Sequence, residues 1–193
     1  MIRKLSYLVV KWMEREGAIS AEDNELFSYA IYSFLFGSLP VFIAALLGLA
    51  FGMLREGILM ITPFMLIRKF SGGYHLNSSK LCVVLSSALL TSAMVLLKVI
   101  VQGGYMTFLT VMVSLSALCL CVFSPVENGA RTLTNAEKRL FRKTARVLAL
   151  ASLLIYFVLC KIMYLKYAAA FGIGILLTAC LQLPSGIKSL YIR

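Results

Sequence analysis

The sequence predicts an all-α protein that crosses a lipid bilayer several times. Hydrophobic residues make up 61% of its 193 residues and charged residues only 14%, whereas soluble domains have roughly 45–50% apolar and about 25% charged residues. The apolar residues are collected in long runs, and a helix needs about 20 such residues to cross about 30 Å of hydrocarbon. A soluble domain of this size could not bury so many apolar residues in its core. We therefore expect one membrane-embedded domain over residues 1–193.

The N-terminal segment predicts an amphipathic helix that lies in the membrane interface. Its apolar residues recur at helical spacing, and its basic residues fall on the opposite side. The apolar set is Ile2, Leu5, Leu8, Val9, Trp12 and Met13, and the basic set is Arg3, Lys4, Lys11 and Arg15. The apolar stretch is too interrupted for a signal peptide, and the acidic segment EREGAISAEDNE follows it.

Six apolar runs follow, and they predict about six transmembrane helices. The runs cover residues 29–48, 50–67, 81–101, 105–124, 146–163 and 167–183. The second run is the weakest, because Arg55 and Glu56 lie near its start and Pro63 interrupts it. We expect this helix to be short or kinked, as a bent crossing or a re-entrant piece.

The distribution of positive charge predicts the orientation in the membrane. The formal net charge is +11, but Lys and Arg gather at the ends of apolar runs, which indicates membrane orientation rather than nucleic-acid binding. With six crossings and the N-terminus inside, 15 of the 19 Lys and Arg residues lie inside the cell. Those outside are Arg55, Lys98, Lys161 and Lys166. We therefore expect a plasma-membrane protein with both termini and the polar segments 68–80 and 125–146 in the cytoplasm.

The most polar stretch of the first half is RKFSGGYHLNSSKLC, residues 68–82, which contains the only histidine, His75, and Cys82. The glycine pair and the Asn-Ser-Ser that flank His75 favour turns, and Ser79 is a good N-cap for the next helix. Cys82 would then lie in the first helical turn, where the helix dipole and nearby cations favour the thiolate. A loop that folds His75 back onto Cys82 would supply a general base and acid. Free N–H groups of that turn could receive an oxyanion.

A histidine and a cysteine seven residues apart are a weak signal by themselves. On spacing alone, a solvated loop histidine and an inert membrane cysteine remain an open interpretation. The other cysteines lie in apolar runs, without a polar partner nearby in sequence: Cys119, Cys121, Cys160 and Cys180. No spacing of Cys and His suits a disulfide framework or a metal, so we expect neither metal nor cofactor.

A cluster of basic residues near the fifth apolar run is a second candidate site. These residues fall on one side of a predicted helix, and we call them the basic face: Lys138, Arg139, Arg142, Lys143 and Arg146. Contact with anionic lipid headgroups explains such a cluster, at about 1 kcal/mol per charge near the surface. Docking of a charged peptide substrate is the other interpretation, and both can hold at once.

The segment RKFSGGYHLNSSKLC resembles the active-site segment of the AgrB family, the accessory gene regulator B peptidases of Gram-positive quorum sensing. The shared features are a basic pair, a turn containing glycine, a His, and a Cys seven residues later at the head of a membrane span. The loop SPVENGARTLTNAEKRLFRK, the chain length and the amphipathic start are also similar to the family. The resemblance therefore extends over essentially the whole chain.

This resemblance implies a membrane cysteine endopeptidase, with His75 as base and Cys82 as nucleophile. The enzyme would remove the C-terminal tail of an AgrD-like precursor peptide through an acyl-enzyme. The remaining peptide would close to a thiolactone or lactone autoinducer. No third catalytic residue carries over, and the candidates for orienting the imidazole are Asn77, Ser78 and Glu127.

A competing function is a small peptide transporter or export channel without covalent chemistry. Six spans are enough for it, but transporters usually carry ionisable residues inside their spans. Apart from Arg55 and Glu56, these runs carry few such residues. The sequence leaves open whether the chain also exports its product, and it leaves open the oligomeric state, a homodimer included.

Overall fold

In the computed structural model, the described part of the chain is almost entirely helical. It covers residues 2–71, 79–126, 134–162 and 164–191, and it contains no β-strand. Seven α-helices follow one another: α1 Ile2–Arg15, α2 Asn24–Ala50, α3 Leu54–Ser71, α4 Ser79–Gly103, α5 Met106–Phe123, α6 Asn135–Lys161 and α7 Leu165–Tyr191. The predicted all-α polytopic class is confirmed.

Five of these helices, α2 and α4 to α7, are long and apolar enough to cross a membrane. Helix α3, which corresponds to the weak second run, falls short because it carries charged residues at both ends. They are Arg55, Glu56, Arg68 and Lys69. The helix is short, as expected: it runs for 18 residues and continues through Pro63, while its expected kink stays a prediction. At about 1.5 Å per residue it is about 27 Å long, close to the thickness of the hydrocarbon.

The described chain divides within α2 into two compact units, residues 1–43 and 44–193. In the first unit, Val10 of α1 is buried, whereas Leu8 and Trp12 are 61% and 62% exposed. Bulky apolar side chains left on the surface are what an interfacial helix presents to lipid. The N-terminal helix is confirmed, while its contact with the membrane and the single domain over 1–193 stay predictions.

Helix α7 is the centre of the second unit and packs against α3, α4, α5 and α6. Residues 168–175 are all buried and are mostly alanine and glycine. Small residues allow membrane helices to approach closely, which matters because lipid is as apolar as the helices themselves. The closest approach is at Gly174, where a Cβ would collide with the carbonyl oxygen of Met60 and lie 2.7 Å from Pro63 Cγ. Helix α3 is therefore packed against α7 by backbone contact.

Short connections join α2 to α3 and α4 to α5. Gly52 and Gly104 turn the chain after α2 and α4, with φ of +67° and +69°, a region that glycine adopts readily. Helix α6 begins with a capping box, in which the Thr134 side chain accepts from the Glu137 N–H and Glu137 Oε2 accepts from the Thr134 N–H at 2.9 Å. Contacts between the elements bring the C-terminal ends of α3, α5 and α7 to the same side of the second unit as the start of α6.

Candidate active site

Much of the predicted catalytic segment lies outside the described residues. His75, Asn77 and Ser78 fall there, and so does Glu127 from the next polar loop. Cys82 belongs to helix α4, but its side chain lies outside the description. The contact between His75 and Cys82 and the choice of a third residue therefore stay predictions.

Cys82 lies in the first turn of α4. Ser79 is the first residue of α4 and therefore helical rather than the predicted N-cap, and Cys82 is the fourth residue of the helix. The first N–H groups of a helix have no partner within it, and the positive end of the helix dipole acts there. The effect of this position on the Cys82 thiol stays a prediction.

Buried polar groups hold the end of α3, directly before the segment that contains His75. The Val126 N–H donates to the carbonyl oxygen of Ser71 at 2.9 Å. From α7, Gln182 Nε2 donates to Ser124 Oγ at 3.1 Å. Ser71, Ser124 and Gln182 are each at most 2% exposed. We call Ser71, Ser124, Val126 and Gln182 the polar junction.

The local sequence explains how the chain reaches this junction. Proline lacks the N–H that a helix needs and disfavours helical backbone at the preceding residue, so Pro125 accounts for the end of α5 at Phe123. The N–H of Ser124 still bonds to the carbonyl of Leu120 at 3.2 Å. The extended backbone of Ser124 then turns Val126 toward α3. Buried amides and hydroxyls need partners, and the junction supplies them.

Helix α6 adds further contacts at the same end of the second unit. Phe70 of α3 and Phe141 of α6 pack edge to face, with ring centroids 5.8 Å apart. Arg146 Nε donates to the carbonyl oxygen of Cys121 at 3.0 Å, and the last carbonyls of a helix have no partner within it. Helix α6 thus contacts α5, and it also contacts α3 at the residue before Ser71.

The five residues of the basic face do not share one environment. Arg139, Arg142 and Lys143 are exposed, whereas Lys138 is half-buried. Arg146 joins α6 to α5 through Cys121, as described above. The exposed positive surface available to a lipid headgroup or a peptide therefore consists of Arg139, Arg142, Lys143 and Arg146, of which Arg146 is also bonded to Cys121. Their role in docking stays a prediction.

Sequence reasoning missed Gln182 and Ser124. The signal for Gln182 was present, because a polar side chain within an apolar run, here LQL, often has a buried partner in a membrane protein. Its partner could not be found in the same way. Ser124 is 58 residues away and lies at the end of a different helix.

Comparisons with known proteins place these features in a family context. A sequence model of the family described as accessory gene regulator B matches residues 6–184. AgrB-like protein 2 of Clostridium perfringens (strain 13, type A) is 28% identical over 85 residues, which is 44% of this chain and 40% of that protein. An AgrB-like protein of C. perfringens strain SM101 has the same identity and coverage. The chain thus spans about two fifths of the length of these relatives. No solved structure matches.

Proposed function

Because the chain belongs to the accessory gene regulator B family, we propose that it is a membrane cysteine endopeptidase acting on an AgrD-like precursor peptide. Cys82 is the nucleophile, and His75 is the general base and acid. The product is a peptide whose new C-terminus closes to a thiolactone or lactone ring. The observation that carries the proposal is the family match over residues 6–184, which includes the whole segment from His75 to Cys82.

The position of Cys82 supports its role as nucleophile. It lies in the first turn of α4, where unpaired N–H groups and the helix dipole favour negative charge. Arg68 and Lys69 occupy the last turn of α3, and Lys80 is two residues before Cys82. Positive groups close to a cysteine raise its thiolate fraction, and the thiolate is the reactive form.

In the first step, the Cys82 sulfur attacks the carbonyl carbon of the scissile amide. The new S–C bond forms and the C–N bond breaks, while His75 passes the thiol proton to the departing amine of the tail. Backbone N–H groups at the start of α4 would stabilise the oxyanion of the intermediate. This step leaves a thioester on Cys82 and releases the tail peptide.

In the second step, a thiol or hydroxyl within the bound peptide attacks the thioester. His75 takes its proton and returns it to the Cys82 sulfur, which leaves as the thiol. Exchange of one thiol for another preserves the bond type, so ring closure requires no nucleotide. Water would hydrolyse the thioester and discard the acyl group, and a site at the end of a membrane helix limits access of water.

The basic face and the charge distribution support a site on the cytoplasmic side. Arg139, Arg142 and Lys143 are exposed near the start of α6, at the end of the bundle where Phe141 meets α3. A charged precursor tail would dock there, next to anionic lipid headgroups. The excess of Lys and Arg in the segments on this side supports a cytoplasmic location for both termini and for the catalytic segment.

Substitution of the two catalytic residues tests the proposal. Cys82→Ala and His75→Ala should each abolish release of the tail from a precursor in reconstituted membranes, measured by mass spectrometry. Cys119→Ala is the matched control, because Cys119 is a half-buried cysteine in the last two turns of α5, and it should retain wild-type release. Wild-type release by Cys82→Ala would overturn the proposed mechanism.

A precursor whose internal cysteine is replaced by alanine tests the intermediate itself. Without a nucleophile to close the ring, the acyl group should remain on Cys82 and accumulate. Intact mass should show the adduct, and hydroxylamine should cleave it because hydroxylamine attacks thioesters. A protein that exports the peptide without covalent chemistry would form no such adduct.

A further inference from the structure

Gln182 has a buried polar side chain that the proposed chemistry does not use. It lies on α7, is 2% exposed, and donates its Nε2 hydrogen to Ser124 Oγ, which is itself 2% exposed. A side-chain amide in an apolar helix is unfavourable unless it is paired. Its partner here belongs to the segment after α5, so the bond joins two elements of the bundle.

This bond is the first link of a connection that reaches the catalytic segment. Ser124 is two residues before Val126, and the N–H of Val126 donates to the carbonyl of Ser71 at 2.9 Å. Ser71 is fully buried at the end of α3. The hydrogen bond from Gln182 to Ser124 therefore restrains the segment 124–126, and the bond from Val126 to Ser71 restrains the end of α3.

The end of α3 limits where His75 can be placed. His75 follows Ser71 by four residues, and four residues span at most about 14 Å. Proton transfer between His75 and Cys82 requires contact at about 3 Å, and misplacement by about 1 Å can cost about 100-fold in rate. A movement of Ser71 shifts the point from which this four-residue link starts, and with it the positions that His75 can reach.

We propose that Gln182 and Ser124 are positioning residues of the active site, which hold the end of α3 so that His75 reaches Cys82. This inference rests on the proposed function, because it requires that His75 and Cys82 react together. Neither residue touches the substrate. Their effect is on the turnover rate rather than on binding of the precursor.

Thr178 supplies a matched control on the same helix. It lies one turn before Gln182 and is also 2% exposed, but its hydroxyl donates to the carbonyl of Gly174 in its own helix at 2.9 Å. Thr178→Val removes a buried hydrogen bond of α7 and leaves the connection to Ser71 intact. A general loss of stability would affect the Thr178 and Gln182 variants alike.

The kinetic test compares Gln182→Leu, Ser124→Ala and Thr178→Val in release of the tail. Gln182→Leu and Ser124→Ala should each lower kcat about 100-fold with KM unchanged, and Thr178→Val should retain wild-type kcat. The double variant of Gln182 and Ser124 should lose no more than either single variant, because both remove the same bond. If Gln182→Leu does not fold, Ser124→Ala tests the same bond from its other partner.

A second readout reports the His75–Cys82 pair without substrate. In protein whose other four cysteines are replaced by alanine, the rate of alkylation of Cys82 by iodoacetamide is measured against pH. The neutral-pH reactivity that depends on His75 should be lost in Gln182→Leu, whose profile should match that of His75→Ala. Thr178→Val should keep the wild-type profile.

Two results would overturn the inference: equal losses in Gln182→Leu and Thr178→Val, or a Gln182→Leu variant with wild-type kcat and alkylation. Release of the tail by Cys82→Ala at the wild-type rate is a different result. It would overturn the proposed function, and the inference with it. The two failures are therefore distinguishable.

Discussion

Replacement of Gly174 by alanine tests whether α7 holds α3 by direct backbone contact. The added Cβ would collide with the carbonyl oxygen of Met60 and lie 2.7 Å from the ring carbon Cγ of Pro63. Neither the Met60 carbonyl nor the Pro63 ring can move away from the added Cβ unless the α3 backbone moves with it. Overpacking costs about 1–3 kcal/mol in general, and because backbone must shift here we expect about 3 kcal/mol.

A gain in helix propensity opposes this cost. Alanine is favoured over glycine in a helix interior by about 1 kcal/mol, so the net loss for Gly174→Ala is about 2 kcal/mol. For a chain of this size, 1 kcal/mol corresponds to about 2–4 °C in Tm. The unfolding temperature should therefore fall by about 4–8 °C.

Gly37→Ala is the matched control for this experiment. Gly37 lies in α2, and a Cβ added there meets no atom within 4 Å. This variant should gain the helix propensity without the collision, so its Tm should equal or slightly exceed that of the wild type. Thermal unfolding in one detergent, followed by a thiol-reactive fluorophore, measures both variants. If the two Tm values agree, α7 does not hold α3 in the way described.

The remaining predictions concern topology and the basic face. A Cys in place of Lys143 should react with a membrane-impermeant maleimide only after the cells are permeabilised. A Cys at the exposed Tyr105, in the link between α4 and α5, should react on intact cells. The opposite labelling pattern would show that the topology is the reverse of the one predicted. Replacing Arg139, Arg142 and Lys143 together with glutamine should raise KM for the precursor about tenfold, from about 0.5 kcal/mol for each exposed charge. Lys166→Gln, at the other end of the bundle, is the control, and an unchanged KM in the triple variant would assign the basic face to lipid.

The sequence was sufficient to predict the helices, because each apolar run is long and ends at a turn signal or a charged group. It was less informative for α3. Arg55 and Glu56 weaken its hydropathy, and Pro63 removes a helical hydrogen bond, so local reasoning favoured a short or kinked helix. In the structure the helix continues through Pro63, and Gly174 lets α7 approach the Met60 carbonyl directly. Tertiary packing stabilises helices more than local preference does, and that packing cannot be read from residues 54–71 alone.

For the candidate site too, the sequence predicted the local features and not the contacts between distant residues. A single His and a Cys at the start of an apolar run could be identified from the sequence, because their chemistry depends on residues close to each other in the chain. The polar junction could not be identified, because its hydrogen bonds join residues more than 50 positions apart. Gln182 could be recognised in the sequence as a polar residue in an apolar run. That observation indicates a buried hydrogen-bond partner for α7, but it does not say which residue the partner is.

Two connections between α7 and α3 bear on how the end of α3 is held. One is Gly174 against Met60 and Pro63, and the other is Gln182, through Ser124 and Val126, to Ser71. Pro63 and Ser71 are eight residues apart on α3, as Gly174 and Gln182 are on α7, so both intervals are about 12 Å of helix. The helices therefore run in the same direction and in register.

Two attachments at this separation restrict both the distance and the tilt of α3, which a single contact would not do. Loss of either should move the end of α3, because the remaining contact acts as a pivot. It follows that Gly174→Ala should lower kcat as well as Tm, although Gly174 lies about 12 Å along α7 from the polar junction. Gln182→Leu should lower kcat with a smaller effect on Tm, since it removes one hydrogen bond and creates no collision. A Gly174→Ala variant that loses stability but keeps wild-type kcat would show that the junction alone positions His75.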